Sequence, residues 1–480
     1  MLTAHLRIAD AATGRPTPVR LRVSGPADET YPPHGRLADF APGPNEDVGG
    51  HLWQDKQPWC YIDGACELRL PAGVPLRVRA TKGPEFTPLD ETVTLGPGQL
   101  ALRYSVERWS NLRADGWFPG DARCHSLSPH AALLEAEAED LAVVHLLARE
   151  SRFPSMDGHA YPTATNMPAF SGQKPALASD STLVAVNTFN RHPVLGSVGL
   201  LHSHRPVFPL AFGEPDHAED WSVCDWCDQC HRKGGLVTWA DPPAGGETLV
   251  ALLLGKIDAV EVDDRPRKVP LLPWYYRLLN IGLRVPLVGA SGKDSNATPL
   301  GRVRTYARVD GPLTLGGWAT AVRAGRCFAT AGPLLTVGVN GHGPGDAVEL
   351  PGAGERVLLT ATARGARPFD RLDVVFNGDV LATAEPSFTD HWTARVELAA
   401  DLPHAGWLAA RTVGAGAFAH TAPVSVRATD RPFPHRRLFV PLVRQAVEGC
   451  REWVAEVGRF ADPRSRDRLL ARCDEALAVL

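Results

Sequence analysis

Apolar and polar residues alternate along the first hundred positions of the chain. Residues 2–10 (LTAHLRIAD) and 75–81 (PLRVRAT) show this period of two, and turns rich in glycine and proline separate such segments. A period of two places every second side chain on the same face of a β-strand, so the pattern predicts sheets that are buried on one side. We therefore predict a β-sandwich domain over residues 1–108.

The pattern changes over residues 109–330. A long stretch with helical spacing, residues 130–150, is followed by short apolar segments such as 183–187 (LVAVN) and 259–262 (AVEV). Alternating strands and helices are typical of an α/β domain built on a parallel sheet or barrel. In such barrels the chemistry lies at the carboxyl ends of the strands, so candidate functional residues are sought there.

The last third of the chain returns to strands and then becomes helical. Alternation over residues 331–430 predicts a second β-sandwich. Residues 431–480 carry apolar residues at helical spacing, interrupted at Asp462-Pro463, which predicts a helical hairpin. A length of 480 residues exceeds what one hydrophobic core usually fills, in agreement with several domains.

Composition narrows the possible partners. The net charge of −4 implies no broad basic surface and argues against nucleic acid. No apolar run approaches the roughly 20 residues that cross a membrane, and the first residues show no export signal, so we expect no membrane partner and a cytoplasmic protein. Nine cysteines in a chain of this length do not suggest a disulfide framework.

The most informative motif is the segment 116–125, GWFPGDARCH. On a strand, Asp121, Arg123 and His125 would share one face and point into one cleft. The segment resembles the first metal motif of the PHP (polymerase and histidinol phosphatase) superfamily, and it is most similar to the carbaryl-hydrolase branch. In that family the strand carries Asp-x-His-x-His after a Gly- and aromatic-rich lead-in.

Further segments resemble that branch in the same order along the chain. They are Gly234–Pro242, which contains Asp241, Ile257–Val262, which contains Glu261, Tyr275–Gly289, Gly292–Ser295, which contains Lys293 and Asp294, and Arg323–Leu335. The resemblance covers roughly residues 110–340. It implies a distorted PHP-like (β/α) barrel flanked by two β-sandwich domains, the first similar to a carboxypeptidase-regulatory-like module. It also implies a metal-dependent hydrolase of an ester, amide, carbamate or phosphoester.

Several positions depart from the family pattern. Arg123 stands where the family would have a histidine, Asp241 stands where it has His before Pro, and Ser197 lies near another family histidine. Arginine stays protonated and has no lone pair for a metal ion. A full di- or trinuclear metal centre is therefore not expected.

The remaining polar residues allow three interpretations. In the first, one divalent ion (Zn, Mn or Fe) activates water, assisted by Arg123, Lys293 and His202. Its ligands would come from Asp121, His125, His130, Asp241, Glu261 and Asp294. In the second, Arg123 pairs with Asp241, and Arg123 and Lys293 bind an anionic or carbohydrate-like ligand in a non-catalytic protein. In the third, the charges only satisfy one another in an inactive site.

Other motifs have a simpler structural interpretation beside the functional one. His202 and His204 form an H-x-H pair after a predicted strand. This spacing suits metal ligands or loop hydrogen bonds, and for His204 we favour the loop hydrogen bond. Cys224, Cys227, Cys230 and His231 match haem or iron–sulfur patterns in part, but their spacing also fits the buried stripe of an amphipathic helix.

Ser128 is predicted to cap the helix that begins at Pro129, with His130 at its amino terminus. The acidic residues Glu135, Glu137, Glu139 and Asp140 are predicted to form the solvated face of that helix.

Overall fold

The computed structural model describes most of the chain. The described residues are 1–43, 49–96, 98–154, 160–213, 221–243, 246–265, 270–350, 356–414, 416–428, 431–433 and 436–480. They form a mostly β protein of several sheets with seven α-helices, the last two of which are adjacent in the sequence.

The described residues of the N-terminal region form eight strands. They are β1 (Leu2–Asp10), β2 (Val19–Ser24), β3 (His51–Gln54), β4 (Gln57–Ile62), β5 (Ala65–Leu70), β6 (Pro75–Thr81), β7 (Leu89–Thr94) and β8 (Ala101–Val106). A three-stranded sheet, β5-β1-β8, and a five-stranded sheet, β3-β4-β2-β6-β7, share one core that includes Leu6, Leu21, Leu68 and Val78. Alternate residues of β1 and β6 are buried, as the sequence pattern predicts.

The central region mixes strands with helices. Its strands are β9 (Trp117–Cys124), β10 (Val143–Pro154), β11 (Ala160–Thr165), β12 (Leu177–Ala178), β13 (Leu183–His192), β14 (Gly196–Leu201), β15 (Leu236–Ala240), β16 (Ala259–Val262), β17 (Leu287–Gly289), β18 (Arg304–Arg308) and β19 (Cys327–Thr330). Its helices are α1 (Pro129–Ala138), α2 (Val223–Arg232), α3 (Gly246–Leu253), α4 (Leu271–Asn280) and α5 (Leu315–Arg323), with short 3₁₀ helices at Leu112–Asp115 and Met167–Ala169.

In the central region each strand is hydrogen-bonded to the next in a series that starts at β9 and ends beside β9. The order is β9, β10, β13, β14, β15, β16, β17, with parallel pairs except at β13–β14 and β14–β15. After β17, a single parallel bridge joins Lys293 to Cys124 at the end of β9, and the His125 amide donates to the Lys293 carbonyl at 2.6 Å. The ends of β9, β15 and β16 therefore lie close together.

In the C-terminal region, the part of the chain that the structure describes forms ten strands and two helices. They are β20 (Leu334–Val339), β21 (Ala347–Glu349), β22 (Val357–Gly365), β23 (Arg371–Phe376), β24 (Asp379–Ala384), β25 (Ser387–Phe388), β26 (Trp392–Ala400), β27 (Gly406–Val413), β28 (Ala419–Thr421), β29 (Val424–Arg427), α6 (Arg436–Glu456) and α7 (Pro463–Val479). The sheet β20-β22-β26-β25 packs with β23 and β27 around a core that includes Leu335, Leu359, Leu372 and Leu408.

The predicted C-terminal helical pair is confirmed. The second helix of the pair begins at Pro463. Asp462 caps it by accepting a hydrogen bond from the Arg464 amide at 3.0 Å. Val447 and Val454 of α6 are fully buried, in a hydrophobic core that also includes residues of α2, α3 and α4. Among the described residues, none of the helices combines the length and apolar character needed to span a membrane.

Burial of α6 against this core should contribute measurably to stability. Val447→Ala removes two buried methyl groups and is expected to lower the free energy of unfolding by about 2 kcal/mol. Leu442→Ala on the same helix is the control, because Leu442 is 49% exposed and little burial is lost. Urea unfolding of both variants measures the difference, and equal losses would show that α6 is not docked as described.

Candidate functional site

Arg123 lies at the centre of a charge cluster at the carboxyl ends of β9, β15 and β16. Its Nε donates to Glu261 Oε2 at 2.6 Å, and its Nη2 lies 3.4 Å from both Asp241 Oδ1 and Asp263 Oδ2. Glu261 also accepts a hydrogen bond from the Thr238 hydroxyl at 2.6 Å. The Arg123 side chain is only 4% exposed, so a full cation is held in the interior by several carboxylates.

The electrostatics of the cluster favour the charged guanidinium. Burial alone would lower the pKa of Arg123, but the charges of Glu261 and Asp241 outweigh burial and leave it above its ordinary value. A second cation, Arg265, donates to Asp263 Oδ2 at 2.7 Å and also pairs with Asp241. The expected Arg123–Asp241 pair is present, although Glu261 makes the shorter contact.

Sequence analysis missed Asp263 and Arg265. Asp263 comes two residues after Glu261, so the period of two along β16 places both side chains on the same face at the strand end. That spacing could have indicated Asp263. Arg265 lies in the loop beyond the strand, where no periodicity specifies the direction of a side chain.

Asp121 does not share the cleft with Arg123, which corrects the expectation of one common face. The register between β9 and β10 shifts: Asp121 pairs with Val144, but Cys124 pairs with Leu146, so β9 has one extra residue. Such a bulge breaks the alternation of side chains. The Asp121 carboxylate accepts hydrogen bonds from the amides of Arg123, Ser291 and Gly301 at 3.1, 2.9 and 2.9 Å, and thereby holds two loops.

His125 is buried beside the cluster as a neutral imidazole. Its Nδ1 lies 3.0 Å from the Leu147 carbonyl oxygen, and its ring meets the Phe189 ring edge-on at 5.2 Å. Burial, followed by the charge of Arg123, lowers the pKa of His125 well below its ordinary value. Within the described residues, its Nε2 is buried without a hydrogen-bond partner.

His130 stands apart from the cluster. The Ser128 hydroxyl accepts a hydrogen bond from the Ala131 amide at 3.1 Å, and Pro129 opens α1, as the sequence predicts. His130 is exposed on the first turn of this helix. The structure therefore places it in solvent rather than among the carboxylates.

Lys293 does not reach Arg123 or its carboxylates. Its ammonium group is fully buried, donates to the carbonyls of Ser295 and Thr298 at 3.1 and 2.9 Å, and lies 3.4 Å from Glu135 Oε2. Burial is also the main cause of the raised pKa of Glu135. Lys293 is thus part of an internal ion pair with α1.

The expectation of a solvated acidic face at α1 is wrong for Glu135 and for Glu139 and Asp140, which follow the end of the helix, whereas Glu137 is partly exposed. Glu135, Glu139 and Asp140 are 0%, 4% and 7% exposed, because α1 packs against β2 and β4 of the N-terminal region as well as β10 and β13. Arginines neutralise two of the carboxylates. The pairs are Glu139 with Arg20 and Arg304, and Asp140 with Arg108 and Arg113.

Asp294 lies at the rim of the cluster. Its carboxylate is 3.9 Å from Arg149 Nη1, and both side chains are partly exposed, at 43% and 29%. Arg149 also feels the charges of Arg123 and Asp241, which indicates that the rim and the buried cluster are neighbours. Asp294 is therefore close to the group, but its partner is an arginine.

The backbone of His202, but not its side chain, belongs to a second buried polar group around Asn187. The His202 side chain is partly exposed, with Nδ1 3.4 Å from the Gly234 carbonyl oxygen. The Asn187 side-chain oxygen lies 2.9 Å from His145 Nδ1 and accepts from the His202 amide at 3.2 Å. Burial lowers the pKa of His145 to about 4. His204 lies 2.8 Å from the Lys233 carbonyl through Nδ1, as expected for a loop histidine.

The cysteine motif of α2 packs in the core. Cys224, Cys227 and Cys230 are buried among apolar side chains, and burial raises the pKa of each thiol. His231 lies instead beside Asp258, with Nε2 2.9 Å from Oδ2. The stripe of an amphipathic helix accounts for the spacing of the three thiols.

The donor groups of the cluster do not fit a divalent metal ion. Glu261, Asp241 and Asp263 are directed at guanidinium groups, and Asp121 is directed at backbone amides. A metal would have to displace Arg123 from a buried position that three carboxylates stabilise. In the described part of the chain, no three or more His, Cys, Asp or Glu side chains are grouped to hold a metal ion.

Comparison of the chain with protein-family models, with curated proteins and with solved structures finds no match in any of the three. The geometry of the described residues is therefore the basis for the functional argument.

The Lys293–Glu135 pair should be essential to stability. Lys293→Met leaves the Glu135 carboxylate buried without its cation, which is expected to cost about 3–5 kcal/mol in urea unfolding. The double variant Lys293→Met/Glu135→Leu should recover part of this loss. Lys174→Met, at an exposed position, is the control, and a Lys293 variant as stable as that control would contradict the described pair.

Buried neutral histidines should make the protein less stable in acid. His145 and His420 each have a pKa lowered to about 4, mainly by burial, against an ordinary value of 6.5. Between these values the unfolded chain binds protons that the folded chain does not. Stability therefore falls as the pH drops from about 6.5 to about 4, by up to roughly 3 kcal/mol for each residue.

Unfolding midpoints measured across this pH range test the effect. His145→Gln should show a shallower decline than the wild type, whereas His130→Gln, at an exposed position, should keep the original slope. A His145→Gln protein with an unchanged slope would mean that His145 titrates normally.

Proposed function

We propose that the chain is a non-catalytic binding or scaffold protein whose central region is a PHP-like barrel with arginine in place of the metal ions. The ordered motifs from Gly116 to Leu335 support the PHP-like assignment. The contacts of Arg123 with Glu261, Asp241 and Asp263 carry the functional part.

The chemistry of substitution supports this proposal. A guanidinium group provides positive charge and forked donors to carboxylates, so it can neutralise acidic strand ends as a metal ion would. It has no open coordination position, however, and cannot bind a water molecule and lower its pKa. Arg123 thus retains the charge balance of a metal centre and removes its hydrolytic chemistry.

The same contacts limit how a ligand could be bound. Arg123 and Lys293 are buried and paired with carboxylates, so binding of an anionic or carbohydrate-like ligand to either would compete with its present ion pairs. Arg149 and Arg265 at the rim are partly exposed. A small-molecule or glycan-like ligand would have to use the rim or another surface, and the barrel would serve as its support.

The competing function is the metal-dependent hydrolase. His125 Nε2, which is buried and without a hydrogen-bond partner in the described structure, is the observation that favours it. Metal analysis of the purified protein after incubation with Zn²⁺ or Mn²⁺ separates the two functions. We expect much less than one ion per chain and a melting temperature that neither ion nor chelator changes.

Variants of Arg123 test the role of the guanidinium directly. Arg123→Met leaves Glu261 buried without its cation and should lower the free energy of unfolding by about 3–5 kcal/mol. Arg265→Met should cost less, because Arg265 is 48% exposed and Asp263 keeps Arg123 as a partner. The double variant Arg123→Met/Glu261→Leu should recover stability.

The opposite results would favour the hydrolase. Stoichiometric metal in the wild type that is lost in His125→Ala but retained in His130→Ala would overturn the proposal. Arg123→Met that is as stable as the wild type would also contradict it, since the guanidinium would then not replace a structural charge.

A further inference from the structure

A cavity of about 300 Å³ lies away from the strand-end cluster, where three regions of the chain meet. The N-terminal region contributes Arg20 and Phe86, the central region contributes Arg302 and Arg304, and the loop after β22 contributes Arg367. None of the residues of the Arg123 cluster lines it. Ligand sites occur preferentially at such junctions, and this volume is near the lower end of their usual range.

The charge of the lining is strongly one-sided. Among the described residues that line the cavity, four are arginines and Glu139 is the only acidic one. Glu139 is already engaged, because it accepts a hydrogen bond from the Tyr61 hydroxyl at 3.1 Å and lies 3.3 Å from Arg20 Nη1. It therefore cannot neutralise the whole lining.

The arginines differ in how far the protein satisfies them. Arg304 is held by the carbonyls of Gly301 and Glu139 at 2.9 and 2.7 Å, and Arg302 pairs with Asp264 at 2.8 Å. Arg20 donates through Nε to the Thr81 hydroxyl at 3.1 Å, while its buried Nη1 makes no hydrogen bond of good geometry in the described structure. These contacts hold the Arg20 and Arg304 side chains in position before any ligand binds.

Arg367 is exposed, and the described residues offer its side chain no hydrogen bond or ion pair. A second cavity of about 190 Å³ shares Arg20 and Arg367 with the first and adds Arg79, Trp59, Asp55 and Asp90. Asp90 is engaged, because its carboxylate accepts a hydrogen bond from Arg77 Nε at 2.6 Å. The Arg79 guanidinium lies 4.8 Å from the centre of the Trp59 ring. Because they share these residues, we treat the two cavities as one groove, which is lined by five arginines and three acidic residues among the described residues.

We propose that this groove binds a small organic anion of the phosphate monoester class. Fixed guanidinium groups that approach from different regions match the several oxygen acceptors of a phosphate group. Because Arg20, Arg304 and Arg367 come from three regions, a bound anion would also hold these regions together. The inference goes beyond the proposed function and shares no residue with the Arg123 cluster.

Calorimetry on the full-length chain tests the proposal, with glucose 6-phosphate, inorganic phosphate and glucose as probes. Glucose 6-phosphate should bind and raise the melting temperature, and glucose should not. Arg367→Gln should weaken binding about tenfold or more, which corresponds to the loss of one charge-assisted contact. The fold should be unaffected, since Arg367 has no partner to lose in the described structure.

Two control variants locate the site. Arg395→Gln alters an exposed arginine of the same C-terminal region and should leave binding unchanged. Arg149→Gln alters the rim of the strand-end cluster and should also leave it unchanged. Binding that is lost in Arg149→Gln but kept in Arg367→Gln would place the anion at the strand ends and overturn the inference.

Absence of binding by both phosphate probes would overturn it as well. The metal measurements on Arg123 and His125 do not depend on this outcome, so the two proposals can fail separately.

Discussion

The ion pair between Arg123 and Glu261 is the interaction on which the central region depends. A buried cation is costly unless carboxylates compensate for the loss of water, and here Glu261 is also held by the Thr238 hydroxyl. Once Arg123 lies among these carboxylates, each is orientated towards a guanidinium group. The chemistry that the strand ends can perform is therefore decided by one side chain.

Part of this arrangement could be predicted from the sequence, because periodicity and motif order are local properties. Alternation located the outer strands, Asp462-Pro463 located the break before α7, and the motif placed Arg123 near Asp241. The bulge in β9 could not be predicted, since one extra residue in a strand leaves its composition unchanged. It directs Asp121 towards the Gly301 loop and away from His125.

The acidic residues in and just after α1 show a second limit of sequence patterns. Glu135, Glu139 and Asp140 have the composition of a solvated helix face, but the N-terminal region covers that face. Their burial is possible only because distant cations reach them, such as Lys293 and Arg20. Whether an acidic stripe meets water or another module depends on tertiary packing, which periodicity within one helix does not encode.

The same interface explains why the cavity at the junction differs from the strand-end cluster. At the strand ends the Nε and Nη2 groups of Arg123 are directed at carboxylates, and the side chain is only 4% exposed. At the junction Glu139 is shared among Arg20, Arg304 and Tyr61, and Arg367 is exposed at the edge, where no hydrogen bond or ion pair holds its side chain in the described structure. Unsatisfied donors, and not the number of arginines, distinguish a surface that can recognise an anion from one that only stabilises the fold. By that criterion, the proposed anion recognition belongs to the junction, and the Arg123 cluster contributes to the stability of the central region.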